Sequence, residues 1–398
     1  MFKCAIAATA VASCVVVPAH AVVFSTSDLA SARNGLQIMR ELNVVTFNDL
    51  NETSHVQGKA FVGGSLGGNG NATFGEGNGS VGAAASTRPT LAVVNNANTG
   101  FTLQNGSNGT SGRVATTPQA DVGKNFLVAA TTSTDGSGLR VGGTLGPLLN
   151  VNGGPAIRYG GAYAGVNTGN GRVSRDGTIA AGGSADLFAA LNSQRTAMVS
   201  DLTKLSTVLA SLTSNGTMST NGSNVTFDFS SLPSTTGYGA YTIAASSLFS
   251  YNGALNVKLG TTSDGGYRPA VINITGGGSY VDALNMTMSD AIAQNVIFNL
   301  IGADNLLVNA TFTGSLLAPT ATVTNGSNIT GSVVASILNQ NAEIHLGTFA
   351  GSSTLIPVVT TGGVPELSSW AMMVVGFGVV GSVLRAGRRE RQETPTRQ

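Results

Sequence analysis

The amino-acid sequence predicts a mainly β protein, in which a β-solenoid body with one long flanking α-helix is followed by a C-terminal transmembrane helix. Three observations predict this fold class. Short β-prone segments separated by Gly and Asn echo one another 17 residues apart. A stripe of leucines at helical spacing runs through residues 184–212. An apolar run at residues 367–384 is followed by clustered arginines.

The composition is typical of an exported, β-rich protein. Of 398 residues, 42% are apolar and only 10% are charged, and 54 are Gly; an average soluble domain has roughly 25% charged residues. Both cysteines, Cys4 and Cys14, lie in the N-terminal apolar segment, so its removal leaves no thiol for a disulfide, a metal or a nucleophile. Without its two ends the chain is weakly acidic, which excludes a basic surface for nucleic acid.

Residues 1–21 predict a secretory signal peptide. Lys3 supplies the positive start, an uncharged apolar run follows, and Ala19 and Ala21 place small side chains at the two positions that signal peptidase reads. The run is too short for a membrane anchor. A lipobox that ends at Cys14 is the alternative prediction.

The mature body is predicted to span residues 22–361. Residues 43–50 predict a short strand that ends in an Asx-type turn, and residues 56–64 predict two short strands with glycine corners. Residues 69–180 are rich in Gly, Asn and Thr and give no clear prediction. The helix at about 184–212, with Ser184 as its N-cap, has one apolar face that indicates core packing against an extended partner: Leu187, Leu191, Met198, Leu202, Leu205, Leu209 and Leu212.

The late body predicts a series of short strands, at residues 295–300, 306–312, 315–317, 321–324 and 332–335. Residues 314–318 (Gly-Ser-Leu-Leu-Ala) recur as residues 331–335 (Gly-Ser-Val-Val-Ala). A period near 20 with Gly and Asn corners indicates a solenoid, in which each coil buries its inward face. Residues 275–279 predict a turn.

Residues 362–391 resemble a PEP-CTERM sorting signal, with a transmembrane helix at 367–384, an Arg-rich end at 385–391 and a cytoplasmic tail at 392–398. The lead triplet is Val-Pro-Glu, where the family has Pro-Glu-Pro. The resemblance implies recognition by exosortase in a Gram-negative bacterium, a transient inner-membrane intermediate, and release to the cell surface or the extracellular matrix. The matching residues are Val364, Pro365, Glu366, Trp370, Gly376, Gly378, Arg385, Arg388 and Arg389.

The body resembles the choice-of-anchor A family. The matching pieces are Asn43-Val44-Val45, Asp49-Leu50, Val56-Gln57-Gly58, Gly314 to Pro319, Gly331 to Ala335, His345 and Phe349. The Ala318-Pro319 turn, the echoing coils and the long helix are similar to ice-binding-type β-solenoids, which pack one helix along the solenoid. That likeness implies an architecture and no activity.

No catalytic, cofactor-binding or metal-binding residue is predicted. His55 and His345 lie far apart in sequence and outside any zinc motif, and the acidic residues are scattered. We therefore expect a non-enzymatic surface or matrix protein with a structural or adhesive role linked to extracellular polysaccharide. A carbohydrate- or ice-binding module is the alternative, and a polysaccharide lyase is a weaker one. The expected partners are signal peptidase, exosortase and the inner membrane, with extracellular polysaccharide as a ligand.

Overall fold

The computed structural model describes residues 24–69, 72–75, 77, 83–103, 119–128, 138–146, 157–165, 173–233 and 235–357. The chain divides into two units, Met1–Ile356 and Pro357–Gln398, and every element described below belongs to the first. The predicted signal peptide and sorting signal lie outside the described residues. None of the helices in the described ranges is long and apolar enough to cross a membrane.

Parallel strands form most of the fold. In the first part of the chain they are β1 Val44–Thr46, β2 Leu50–Glu52, β3 Ala60–Val62, β4 Leu66–Gly68, β5 Thr73–Phe74, β6 Leu91–Val93, β7 Thr102–Leu103, β8 Gln119–Val122, β9 Gly138–Val141, β10 Ile157–Tyr159 and β11 Val173–Arg175. We call residues 43–175 the N-terminal stack.

The second part of the chain contributes the remaining strands: β12 Thr217–Asn221, β13 Asn224–Asp228, β14 Gly239–Ala244, β15 Ala254–Lys258, β16 Ala270–Asp282, β17 Asn285–Met286, β18 Val296–Val308, β19 Phe312–Thr313, β20 Ser315–Asn325, β21 Ile329–Thr330, β22 Val333–Gln340 and β23 Ile344–His345. We call residues 217–345 the C-terminal stack. The helices are α1 Thr26–Glu41, α2 Leu187–Ala210, α3 Ala245–Leu248 and α4 Asp290–Ala293, with 3-10 turns at Gly177–Ile179 and Ser353–Leu355.

Each coil has three sides and buries alternate side chains inside. The first coil runs through β1, β2 and Val56, and the next through β3, β4 and β5. We call the side with β1 and β3 face A, the side with β2 and β4 face B, and the side with Val56 and β5 face C. Inward residues of all three faces form one continuous core, which includes Val44, Leu50, Val56 and Phe74. The fold is therefore a three-sided β-solenoid.

The order of the strands on face A shows how the two stacks join. Twelve strands of a 14-stranded sheet follow one another in the order β11-β10-β9-β8-β6-β3-β1-β22-β20-β18-β16-β14, and the other two, β2 and β4 of face B, join the sheet through β22. The N-terminal stack thus grows from the middle of the solenoid to one end. The C-terminal stack starts at the other end and returns to the middle, where β22 pairs with β1 in parallel.

The 17-residue echo predicts the coil register correctly. Leu316, Leu317 and Ala318 pair with Val333, Val334 and Ala335 on the next coil. The predicted segments are, however, parts of longer strands. Residues 296–300 and 306–308 both belong to β18, in which Gly302 has φ 83°. The predicted turn at 275–279 lies inside β16, where the register shifts at Gly278. The glycines here make irregularities within strands, because Gly tolerates positive φ.

Helix α2 is the predicted leucine helix and lies along face A. Its bounds differ slightly from the prediction, because Asp186 is the N-cap and accepts a hydrogen bond from the Ala189 N–H at 3.0 Å, whereas Ser184 lies in the preceding turn. All seven stripe residues are buried, against outward residues of face A such as Val45, Phe61 and Leu317. From Phe188 near β8 to Leu209 near β16 the helix rises about 32 Å. Seven strand spacings span about 34 Å, so one helix matches the distance between these strands.

Two buried asparagines fix α2 to the C-terminal stack. Asn299 donates to Asn273 Oδ1 at 2.9 Å and to the Ser206 carbonyl at 3.0 Å, and it accepts from the Ser206 hydroxyl at 2.7 Å. Asn273 donates to the Leu209 carbonyl at 2.8 Å. Buried amides need such partners, so the network specifies one axial position of the helix.

Helix α1 was not predicted from the sequence. It begins at a capping box in which Ser25 and Asp28 exchange hydrogen bonds, each at 3.1 Å. It packs beside α2, and a side chain at Gly35 would overlap the backbone of Asp201. Lys204 of α2 forms an ion pair with Asp28 at 2.9 Å. The close approach explains a glycine in the middle of this helix.

Glycines at one corner of the coils set how closely neighbouring coils stack. A Cβ at Gly142 would overlap the Gly123 carbonyl oxygen, whereas a Cβ at Gly177 would meet nothing within 4 Å. Neither glycine has positive φ.

We expect Gly142→Ala to lower the free energy of unfolding by about 2–3 kcal/mol because it forces two coils apart. Gly177→Ala, the matched control, should change it by less than about 1 kcal/mol. Urea denaturation checks both, and equal effects would contradict the steric role of the corner.

Candidate functional site

Face B is a side of the solenoid that neither of the long helices α1 and α2 covers. Helices α1 and α2 cover face A, and face C carries an Asp228–Lys258 ion pair and a Glu343–His345 hydrogen bond. The inward row of face B is apolar, as at Leu338, Leu50 and Leu66. Alternation along each strand therefore directs the residues between them to solvent.

Two outward rows run along face B across successive coils. The first contains Ser279, Asn305, Thr322, Ile337, Asp49, Ser65, Asn96, Asn125 and Thr144. The second contains Val281, Leu307, Thr324, Asn339, Asn51, Gly67, Asn98, Leu127 and Gly146. Asp49 is the one charged residue in these rows within the described ranges. The side chains repeat at about 4.8 Å from coil to coil.

Side-chain amides and hydroxyls connect neighbouring coils along these rows. Asn51 donates to Asn339 Oδ1 at 2.9 Å, and Asn339 donates to Thr324 Oγ1 at 3.3 Å. In the other row Asn305 donates to Ser279 Oγ at 2.9 Å. Each amide keeps further donor or acceptor capacity. The rows are thus held in place and still present polar groups outward.

Apolar side chains interrupt the polar rows. Leu127 is 51% exposed and Val281 is 49% exposed, and both belong to the second row. Isolated exposed apolar residues are ordinary. Here they lie toward the two ends of a row whose middle contains Asn339, Asn51 and Asn98. A surface of this kind can contact both the hydroxyl edges and the apolar patches of a neutral ligand.

Within the described ranges, both predicted histidines and several acidic residues lie on faces C and A. His55 and His345 lie on adjacent coils of face C, since the Ile344 N–H donates to the His55 carbonyl at 3.0 Å. His345 pairs with Glu343 at 2.9 Å. Asp121 and Asp176 form ion pairs with arginines on face A. Across the described ranges no group of three His, Cys, Asp or Glu side chains could hold a metal ion.

Asp282 is a buried carboxyl with a strongly raised pKa. It lies at the corner where face B meets face C and is fully shielded from solvent. Its Oδ1 accepts from the Leu284 N–H at 3.0 Å, while its Oδ2 has no hydrogen-bond partner. Burial raises the pKa of Asp282 to about 7, and the Leu284 hydrogen bond opposes the shift. Asp282 is therefore protonated in the folded protein below that pH.

The predicted sorting and cleavage residues lie outside the described residues and stay predictions. They are Ala19 and Ala21 at the N-terminus and Val364, Pro365, Glu366, Trp370, Gly376, Gly378, Arg385, Arg388 and Arg389 at the C-terminus. Face B itself was not predicted residue by residue. Its only signal in the sequence is the alternation of Thr in residues 320–324.

The described fold is a three-sided β-solenoid in which helices α1 and α2 cover one face. A family model described as "Putative Ice-binding-like adhesive domain" matches residues 35–125 and 99–346. The chain belongs to this family of ice-binding-like adhesive domains. Such domains point to an extracellular or surface protein.

Other comparisons add little. The chain is similar to the ice-binding protein from an Antarctic Flavobacteriaceae bacterium, with 12% identity over 80% of this chain and 98% of that chain, and a TM-score of 0.26. A likeness this weak carries no argument about fold or function. The search of curated proteins finds no match.

The buried carboxyl predicts a pH-dependent stability. Because the folded-state pKa of Asp282 is about 7 and its ordinary value is 3.8, the folded protein loses stability as pH rises between these values. The loss reaches at most about 4 kcal/mol above pH 7. Asp282→Asn keeps the Oδ1 acceptor and cannot ionise. We expect its melting temperature to exceed that of the wild type at pH 8 and the difference to shrink toward pH 5.

The exposed Asp264 provides the control. Its pKa is lowered, chiefly by the hydrogen bond from the Thr262 hydroxyl, so Asp264→Asn should remove stability that is present at neutral pH and lost in acid. The two variants therefore have opposite signs. Thermal melts across this pH range measure both, and a pH-independent gain for Asp282→Asn would refute the assignment.

Proposed function

We propose that this protein is an exported adhesive protein that binds neutral extracellular polysaccharide through face B. The observation that carries the proposal is the pair of in-register rows of amides, hydroxyls and isolated apolar groups on a surface with almost no charge. A linear polymer along the solenoid axis would meet at least one polar side chain of the two rows on each of these coils. The role is non-catalytic.

The chemistry of the rows favours a neutral, hydroxyl-rich ligand. Asn side chains both donate and accept hydrogen bonds, as sugar hydroxyls do. An anionic polymer would need arginines or lysines, which these rows lack in the described ranges. Side chains that are already hydrogen-bonded to each other lose little conformational entropy on binding.

A second candidate ligand is ice, which the description of the family favours. The alternation of Thr322 and Thr324 on β20 gives face B some regularity, and Val281 and Leu307 add apolar groups beside them. Both ligands are repetitive and use the same surface. Only the ligand distinguishes the two candidates, so one variant series tests both.

A charge placed in the middle of face B should block the surface. Asn51 is exposed on β2, and Asn256 is exposed on β15 of face C. We expect Asn51→Arg to weaken retention on neutral polysaccharide at least tenfold, because a bulky cation replaces a small amide at the contact. Asn256→Arg, the same substitution on another face, should bind as the wild type does.

Retention on polysaccharide columns and ice shaping by the purified protein are measured in parallel. Ice shaping that Asn51→Arg abolishes, without polysaccharide retention, would replace the proposed ligand by ice. Equal binding by the Asn51 and Asn256 variants would reject face B as the site.

We further propose that the body is a choice-of-anchor A domain that a PEP-CTERM tail delivers. Its export begins with cleavage after Ala21, and exosortase then cleaves near Pro365 and Glu366. Mass spectrometry of the mature termini is the test. We expect residue 22 at the start, and an end near residue 365 in cells with exosortase only. An uncut tail in exosortase-positive cells would reject this sorting route.

A further inference from the structure

The first coil of the chain completes the solenoid against the last coil. Strands β1 and β2 pair with β22, and Val56 pairs with Ile344 of β23. On the far side the same coil pairs with β3, β4 and Phe74. We call the junction of β1, β2 and Val56 with β22 and β23 the seam. Within the described part of the chain, the strands of the N-terminal stack pair with those of the C-terminal stack at the seam.

Hydrogen bonds across the seam join groups that are nearly the whole chain apart. Asn48 donates to the Ser336 hydroxyl at 3.0 Å and Asn51 to Asn339 at 2.9 Å, each pair separated by 288 residues. Asn43 donates to the His345 carbonyl at 3.0 Å. Sequence distance has no influence on such contacts once they form, so a second copy of the chain could supply either side.

Helix α1 reinforces the seam from face A. Arg40 donates to the Gly351 carbonyl at 2.7 Å, and the Ser332 hydroxyl donates to the Leu42 carbonyl at 3.0 Å. Because α1 precedes β1 directly, it accompanies the N-terminal stack. These contacts would also form between two copies.

A short turn connects the two exchangeable parts. The N-terminal stack ends at β11, and α2 begins at Leu187 after the turn at residues 180–186. Gly182 in this turn has φ 75° and open space around it. Beyond the turn, Ser206 and Leu209 bind α2 to the C-terminal stack. The turn is the hinge at which α1 with the N-terminal stack can separate from α2 with the C-terminal stack. The contacts of α2 with α1 and the N-terminal stack, such as Lys204–Asp28 and the 2.7 Å hydrogen bond from Arg195 to the Phe47 carbonyl, then re-form between copies together with the seam.

We propose that the seam is also an intermolecular interface, at which copies of this chain exchange their N-terminal stacks. The exchanged seam has the same strand pairs and hydrogen bonds as the monomer, so the free-energy difference lies in the extended hinge and in the protein concentration. Reciprocal exchange closes a dimer. If instead each molecule gives its N-terminal stack to the next molecule, the copies form an open, linear assembly. An adhesive protein that assembles in this way would cross-link the material that it binds.

Paired cysteines distinguish exchange from ordinary association. Asn51 and Asn339 are register partners on adjacent parallel strands, with Cα atoms about 5 Å apart, which suits a disulfide. The body outside the N-terminal segment contains no cysteine. In N51C/N339C the disulfide is intrachain in the monomer and interchain after exchange.

The full chain, with Cys4→Ala and Cys14→Ala added so that the engineered pair supplies its only thiols, is unfolded, reduced, refolded from dilute to concentrated solution and then oxidised. We expect non-reducing gels to show covalent dimers and higher multiples whose share rises with concentration during refolding. Reduction should return every band to the monomer. A disulfide that stays intrachain at every concentration overturns the proposal. If N51C/N339C does not fold, the same gel assay is carried out on N48C/S336C, a pair across the same seam.

A pair inside one stack is the matched control. Ser279 and Asn305 are register partners on face B within the C-terminal stack. In S279C/N305C the disulfide should stay intrachain even when the molecules have exchanged. Interchain disulfides in both pairs would indicate unspecific aggregation and would also reject the proposal. The readout does not depend on ligand binding, so failure of the polysaccharide proposal leaves it unaffected.

Discussion

The parallel pairing of β1 with β22 is the constraint on which the rest of the structure depends. Without it each stack would end in an open edge of unpaired backbone groups, which sheets normally avoid. Closing it brings together residues 288 positions apart, at an entropic cost of about 5 kcal/mol by loop-closure scaling alone. Burial of the interior rows on all three faces and the packing of α1 offset that entropic cost. Long-range contacts of this kind form late and slowly, so the fold is complete only after the last coil is available.

The same closure explains why the protein needs two helices. The chain leaves the N-terminal stack at one end of the solenoid and must re-enter at the other, and α2 spans that distance. Its apolar stripe covers face A, while Asn273 and Asn299 fix its axial position from below. Helix α1 lies beside it and ties the first coil to Gly351 near the end of the body. Face A is therefore covered by the two helices, whereas face B is not.

Local patterns in the sequence predict the local parts of this fold. The leucine stripe predicts α2, and the 17-residue echo predicts the pairing of β20 with β22. Helix α1 was not predicted, because an Asn-Gly pair such as Asn34-Gly35 is typical of a turn. The glycine is explained only by the close approach of α1 to the backbone of Asp201. The seam and the rows of face B join residues that are far apart in sequence. No periodicity within one segment specifies which distant strand it meets, so these features require the structure.

The geometry of face B also constrains how strongly the protein can bind. Each described coil offers a few amide, hydroxyl and apolar side chains on face B, and Asp49 is the one charged residue in the two rows of the described ranges. Affinity must then come from many weak contacts along one rigid surface, and it should grow with the length of the ligand until the face is filled. Exchange at the seam would increase the number of contacts beyond those of one molecule, because every added copy contributes another face B that strand pairing holds to the first. Adhesion by such a protein depends on rigidity and repetition, which is what the stacked coils and their hydrogen-bonded asparagines provide.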